Sequence, residues 1–130
     1  IHTHPPYVSA LSLVGEPLKV AHMDTTMFHD DCAYLPEWPG VPIGDEEGRI
    51  IHEALGKNRA IILAHHGQLV ACATMEEAAV LAVFIERAAR MQVMARAIGL
   101  VAHLQEELSD PMAGEIWARV EEEASAHLRE

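Results

Sequence analysis

Basic residues and cysteine are both scarce in this sequence of 130 residues. Nine Lys and Arg stand against twenty Asp and Glu, which gives a formal net charge of −11. Nucleic-acid binding needs clustered Lys and Arg to neutralise phosphates, so this balance argues against a nucleic-acid partner. Two cysteines, Cys32 and Cys72, are too few for a disulfide scaffold. We therefore expect free thiols in a reducing compartment, the cytoplasm.

Long apolar runs are missing as well. No stretch reaches the roughly 18–20 apolar residues of a membrane span, so we expect no membrane partner. No secretory signal is visible, but the chain begins with Ile and not Met, which makes that observation uninformative. Half of the residues are hydrophobic and 22% are charged, a composition typical of one globular domain with its own core.

Strand and helix signals alternate along the middle of the chain. Residues 60–64 form a continuous apolar run that predicts a buried strand, and residues 69–72 predict a second strand. Asp45 is placed to cap a helix, and the capping box opened by Thr74 begins a longer helix that stops at Gly99. This alternation predicts a layered α/β fold.

Prolines and glycines organise the first third of the chain. The proline pair at residues 5–6 is tolerated only at a helix start, which predicts a short helix ending at Gly15. Residues 16–44 predict a long irregular segment with one short strand or helix inside it. Its polar residues are interpreted as a solvated loop, and the alternatives are that they line a binding pocket or reach a neighbouring subunit's site: His22, Asp24, His29, Asp30 and Asp31.

Three histidines have a spacing that suits one metal ion. His2 and His4 point to the same face of an extended segment, and His66 follows a predicted strand just before a glycine. Three imidazoles without a carboxylate are typical of catalytic zinc with open coordination positions. Such an ion can chelate a hydroxy-carbonyl group and stabilise an enediolate. The alternatives from spacing alone are surface histidines, or a structural metal closed by a fourth ligand.

Motif order adds a resemblance to a known family. The H-T-H-P-P-Y run at residues 2–7, the H-G pair at 66–67 and the M-E-E-A helix start at 75–78 together resemble the class II aldolase/adducin family, fuculose-phosphate aldolases among them. The resemblance covers residues 1–99. That family usually has Asn before the H-G pair, where this chain has His65.

The resemblance implies a fold and a metal centre. It implies a layered α/β/α sandwich of the class II aldolase type, incomplete at its N-terminus. Residues 1–130 would be the C-terminal portion of one domain, with 1–99 as the family core and 100–130 as a C-terminal helical extension. It also implies that His2, His4 and His66 bind a divalent metal, zinc first and manganese second.

The same resemblance implies an activity. We expect a lyase that cleaves a small hydroxy-carbonyl compound, such as a sugar phosphate, by a retro-aldol reaction through a metal-stabilised enediolate. An epimerase, a decarboxylase and a non-catalytic adducin-like binding domain are the alternatives. The family's acid/base residue precedes the H-x-H motif, so we expect it upstream of Ile1 and residues 1–130 alone to be inactive. A homo-oligomer, by resemblance a tetramer, is also expected.

One residue of the long helix belongs with this centre as a candidate. Glu86 lies mid-helix among apolar neighbours. It is interpreted either as an exposed helix glutamate or as an acceptor that orients a metal ligand.

Overall fold

A computed structural model describes residues 1–37, 45–97 and 114–115 of the protein. The elements in chain order are β1 His2–Thr3, α1 Pro6–Leu13, a 3₁₀ helix Met23–Phe28, β2 Cys32–Leu35, α2 Glu46–Leu55, β3 Ala60–Leu63, β4 Gly67–Val70 and α3 Met75–Ala97. The strands form one sheet in the order β1-β4-β3-β2. Strands β2 and β3 are parallel, whereas β4 is antiparallel to both β3 and β1.

The central strand β3 has helices on both faces. Successive strand residues point to opposite sides. Ala60 and Ile62 therefore join a cluster with α1 and α3, whereas Ile61 and Leu63 join a second cluster with α2. All four residues of β3 are buried, as expected for a strand covered on both faces. The predicted α/β/α sandwich is confirmed.

Strand β4 begins earlier than predicted. It spans Gly67–Val70, two residues before the predicted range of 69–72. Leu63 pairs directly with Gly67, so the connecting loop contains only residues 64–66. His65 adopts a left-handed conformation in this loop, with φ of 58°. Because the loop is short, β4 begins to pair with β3 earlier in the sequence, and Cys72 lies beyond its end.

The irregular segment carries more structure than predicted, because it contains both a 3₁₀ helix and the strand β2. Asp31 lies just before β2 and is not a solvated loop residue. Its carboxylate accepts hydrogen bonds from the backbone N–H and the Nε of Arg59, while Arg59 Nη1 lies 2.8 Å from Glu77 Oε1. Arg59 thus ties the starts of β2, β3 and α3 together.

Helix boundaries follow the predicted signals, with two differences in capping. Gly15 and Gly56 follow α1 and α2 with positive φ, as expected for residues that end a helix. The Asp45 side chain makes no capping hydrogen bond to α2. At α3, Thr74 Oγ1 accepts the N–H of Glu77, but the Glu77 carboxylate turns to Arg59.

The predicted ends of the chain lie largely beyond these elements. Gly99 and the helical extension at 100–130 fall outside the described residues, apart from 114–115, which are helical. In the part of the chain that the structure describes, no helix is both long enough and apolar enough to cross a membrane.

Candidate metal centre

Antiparallel pairing of β1 with β4 brings three histidines to one edge of the sheet. In this pairing His2 lies opposite Leu69 and Thr3 lies opposite Gln68. The end of β1 therefore meets the start of β4, which His66 directly precedes. The Nε2 atoms of His2 and His4 lie 2.9 Å apart, and one candidate nitrogen from each of the three rings lies within 4.8 Å of the others.

This donor set fits a divalent metal. Two nitrogen ligands at about 2.0–2.1 Å from a tetrahedral zinc ion lie roughly 3.3 Å apart. The His2–His4 separation of 2.9 Å is close to that value, and the limit of 4.8 Å leaves only small ring movements for the third. Within the described residues, no carboxylate or thiol joins this group. Imidazole ligands favour zinc over manganese, which prefers oxygen ligands.

The centre is open on one side. His2 and His4 are exposed and His66 is half-buried, so a metal held here faces solvent through part of its surroundings. Three protein ligands with an accessible side are the arrangement of catalytic zinc, in which further positions bind water or substrate. The predicted metal-binding role of the three residues stays a prediction, whereas their convergence is a feature of the fold.

Electrostatics keep two of the rings neutral. Burial lowers the pKa of His2 below 6.5, and the charge of His4 lowers it further. Burial likewise lowers the pKa of His66, with His2 and His4 adding to the effect. Metal binding requires the neutral imidazole, so these two rings need not lose a proton to bind at neutral pH.

One acidic residue of helix α2 acts on this cluster. The carboxylate of Glu47, in the first turn of α2, opposes the lowering of the pKa of both His2 and His66. Sequence reasoning missed Glu47. Its local signal is only that of an acidic residue at a helix start, which is common for helix-dipole reasons alone.

Gly67 is required by close packing and not by its backbone angles. A Cβ at this position would lie 2.5 Å from the Thr3 carbonyl oxygen and 2.6 Å from His4 Cδ2. Gly67 is the first residue of β4, and it is not among the residues with a positive φ. The left-handed residue of the turn is instead His65, at the position where the family usually has Asn. Asn tolerates that conformation well.

His65 itself is not part of the cluster. Its side chain is exposed, and its backbone N–H donates to the Ser12 carbonyl oxygen at 3.2 Å. His66, the residue next to the glycine, supplies the third ring. The structure thus brings together the three histidines that the motif resemblance indicated.

Glu86 has a role that neither sequence interpretation described. Its carboxylate accepts the backbone N–H of Tyr7 at 3.0 and 3.1 Å and the N–H of Val8 at 2.9 Å. These two donors lie in the first turn of α1, where helix N–H groups have no partner inside the helix. Glu86 therefore caps α1 from a distance of 79 residues in sequence, which no local pattern could indicate.

The polar residues of the irregular segment stay away from the histidine cluster. His22 Nδ1 accepts the N–H of Asp24 and so caps the 3₁₀ helix. Asp24 in turn pairs with Arg87 of α3 at 2.7 Å. His29 lies 3.7 Å from Asp30. These contacts stabilise the packing of the segment, and in the described residues none of them reaches the candidate metal centre.

Comparison with known proteins agrees with this fold and these motifs. Residues 1–93 match the family described as Class II Aldolase and Adducin N-terminal domain, and the chain belongs to that family. A relative of solved structure, L-fuculose 1-phosphate aldolase from Glaciozyma antarctica PI12, superposes with a TM-score of 0.65 and 29% identity. That superposition covers 98% of this chain and 51% of the relative.

Two curated relatives are similar over much of the same range. The Meiotically up-regulated gene 14 protein of Schizosaccharomyces pombe is 29% identical over 93 residues, covering 72% of this chain and 36% of that protein. Decarboxylase NovR of Streptomyces niveus is 27% identical over 99 residues, covering 76% of this chain and 37% of that protein. The chain therefore spans little more than a third of the length of these curated relatives.

Proposed function

We propose that this chain carries the metal centre of a divalent-metal-dependent lyase that cleaves a small hydroxy-carbonyl compound by a retro-aldol reaction. The convergence of His2, His4 and His66 within 4.8 Å is the observation that carries the proposal. Family membership and similarity to a protein named as an L-fuculose 1-phosphate aldolase support it. A sugar phosphate is the substrate class that this relative suggests.

The three imidazoles hold zinc, with manganese as the second choice. A divalent ion in this position supplies Lewis-acid stabilisation of the negative charge that develops beside a carbonyl when the neighbouring C–C bond breaks. The chain's own contribution is to present neutral His2 and His66 rings and an open side through which substrate reaches the centre.

Proton transfer needs a group beyond the histidine cluster. Within the described residues no carboxylate joins the cluster at ligand distance. As the family resemblance implies, we propose that the acid/base residue lies outside residues 1–130. General acid/base help contributes about 10²–10⁴-fold to such reactions, so the proposal includes weak or absent turnover by this chain alone.

A decarboxylase is the second candidate, and one observation favours it. The relative from Streptomyces niveus is named a decarboxylase. Loss of CO₂ beside a carbonyl leaves the same kind of carbanion as retro-aldol cleavage, so one centre suits both reactions.

We also propose a homo-oligomer and a cytoplasmic location. The location is supported by the free thiols of Cys32 and Cys72.

Metal content and proton exchange test the proposal together. We expect about one zinc per chain by elemental analysis, lost in His66→Ala and kept in the matched control His65→Ala, because only His66 joins the cluster. Carbanion formation is then measured with dihydroxyacetone phosphate in D₂O. Exchange of its hydroxymethylene protons for deuterium weakens their NMR signal. Metal-dependent exchange supports a lyase. Zinc-free protein without exchange would contradict the proposal and favour a binding domain.

A further inference from the structure

Helix α3 reaches the His2–His4 segment at two points one turn apart. The carbonyl oxygen of Ala82 accepts a hydrogen bond at 3.0 Å from Gln68 Nε2, and the same Nε2 donates to Thr3 Oγ1 at 3.0 Å. Glu86, one helical turn further along α3, accepts the N–H groups of Tyr7 and Val8. Residues four apart on a helix lie on one face, so both contacts come from the same side of α3.

These two contacts lie before and after His4 in the chain. Thr3 stands between His2 and His4, and Tyr7 begins the backbone donors that follow His4, because Pro5 and Pro6 have no N–H. The N-cap position of α1 is Pro5, which makes no side-chain capping bond. The first turn of α1 therefore depends on Glu86, whose negative charge is also favourable at a helix N-terminus.

The other support of the histidine segment is backbone pairing. Strand β1 contains only two residues, both exposed, and it pairs with β4, while Ile1 before it exchanges two backbone hydrogen bonds with Val70. Gln68, by contrast, is only 1% exposed, and among the described residues its Oε1 has no hydrogen-bond partner. A buried amide with an unsatisfied oxygen destabilises a fold relative to an apolar side chain of similar size. The presence of Gln68 there indicates a role other than filling space.

We propose that Glu86 and Gln68 are positioning residues for the metal centre: Glu86 fixes the helix start after His4, Gln68 fixes Thr3 between the two rings, and both anchor to α3. This inference rests on the proposed metal-binding function. It identifies the two residues as determinants of metal affinity through the preorganisation of His2 and His4, and neither touches the metal.

Zinc affinity of the purified protein, measured by competition with a chromophoric chelator, tests the inference. Supporting residues of metal ligands typically change affinity by about 10–100-fold. We expect about a tenfold rise in the zinc Kd for Glu86→Ala. Glu86→Gln gives a smaller rise, because its amide oxygen still accepts one N–H. Thr3→Val, which removes the hydroxyl that Gln68 contacts, also raises the Kd. The control Glu76→Ala, an exposed glutamate on α3, leaves it unchanged.

Thermal unfolding of the metal-free variants separates positioning from general stability. A lower Tm for Glu86→Ala with an unchanged zinc Kd overturns the inference, since the residue would then only stabilise the fold. If Glu86→Ala does not fold, Glu86→Gln and Thr3→Val decide the question by the same comparison. Wild-type protein that binds no zinc overturns the proposed function itself. Tight zinc binding that is equal in all variants overturns only the positioning role.

Discussion

Gly67 lies directly against His4, so closely that a Cβ at position 67 would come within 2.6 Å of His4 Cδ2. The Thr3 carbonyl oxygen would be only 2.5 Å away. The distance between β1 and the start of β4 is thus set by the absence of a side chain. The arrangement of the histidine rings follows from this spacing.

Replacement of Gly67 by Ala is expected to displace β1 and weaken metal binding by at least about tenfold. The added methyl group overpacks a closed contact, which typically destabilises a fold by about 1–3 kcal/mol. Gly48 is the matched control, since a Cβ there meets nothing within 4 Å in helix α2. Gly48→Ala should stabilise by roughly 0.5–1 kcal/mol. Zinc titration and urea unfolding measure both effects; normal zinc binding by Gly67→Ala would contradict this prediction.

His65 and His66 should respond to substitution in opposite ways. His65→Asn is expected to keep metal binding and stability, because Asn tolerates the left-handed backbone that His65 adopts at φ 58°. His65→Val should lose roughly 1–2 kcal/mol, since a β-branched residue is strained there. His66→Asn should lose the metal while keeping the fold. Elemental analysis with circular dichroism measures these outcomes, and loss of metal in His65→Asn would show that the wrong ring has been chosen.

Removal of the Glu47 charge should weaken metal binding without removing it. At pH 8 the His2 and His66 rings are neutral with or without Glu47, so only the attraction between the carboxylate and the cation is lost. For a weak attraction between charges near solvent, we expect roughly a threefold weaker zinc affinity for Glu47→Gln at low salt. The difference should shrink at 1 M salt, where screening is strong. Glu46→Gln, at the exposed preceding residue, is the control; an equal effect there would point to net charge alone.

Cys32 is expected to resist alkylation in the folded protein. Burial raises the pKa of its thiol from 9.0 to about 12, and the negative charge of Asp31 adds to the shift. Only the thiolate is a nucleophile, so iodoacetamide at pH 8 should modify Cys32 after unfolding and not before. Peptide mass spectrometry with and without urea measures this. Rapid modification of Cys32 in native protein would contradict the raised pKa.

The same shift has a consequence for stability. Because the folded state holds the Cys32 proton more tightly than the unfolded state, the associated stability is fully present below pH 9. It is lost as the pH rises from 9 towards 12. Cys32→Ser should flatten this part of the pH profile in urea unfolding experiments.

The sequence predicted those features that depend on neighbours in the chain. The apolar run from Ala60 to Leu63 reads as a strand buried on both faces, and the structure confirms it. Gly15 and Gly56 end helices because a positive φ suits glycine locally. The histidines converge because an H-x-H segment is extended and His66 ends a hairpin loop, which the motif resemblance also indicated.

The remainder depends on contacts between distant parts of the chain. Glu86 caps α1 across 79 positions, and Asp31 holds Arg59 across 28. The start of β4 at Gly67 depends on its pairing with Leu63 and on the absence of a side chain at position 67, which lets His4 pack against it. Composition and periodicity carry no information about such partners, because each of these residues also has an ordinary role at the surface of a helix or loop.

The pairing of β1 with β4 places ligands from two distant parts of the chain on one metal ion. An ion shared by His4 and His66 joins residues about sixty positions apart, and it stabilises the folded state because only that state holds the rings together. Metal at a hundredfold excess over its Kd would raise the unfolding free energy by about 2.7 kcal/mol. Such an ion would link the edge strand β1 to the hairpin formed by β3 and β4. Removal of the metal by a chelator should therefore release the first residues of the chain before the core unfolds.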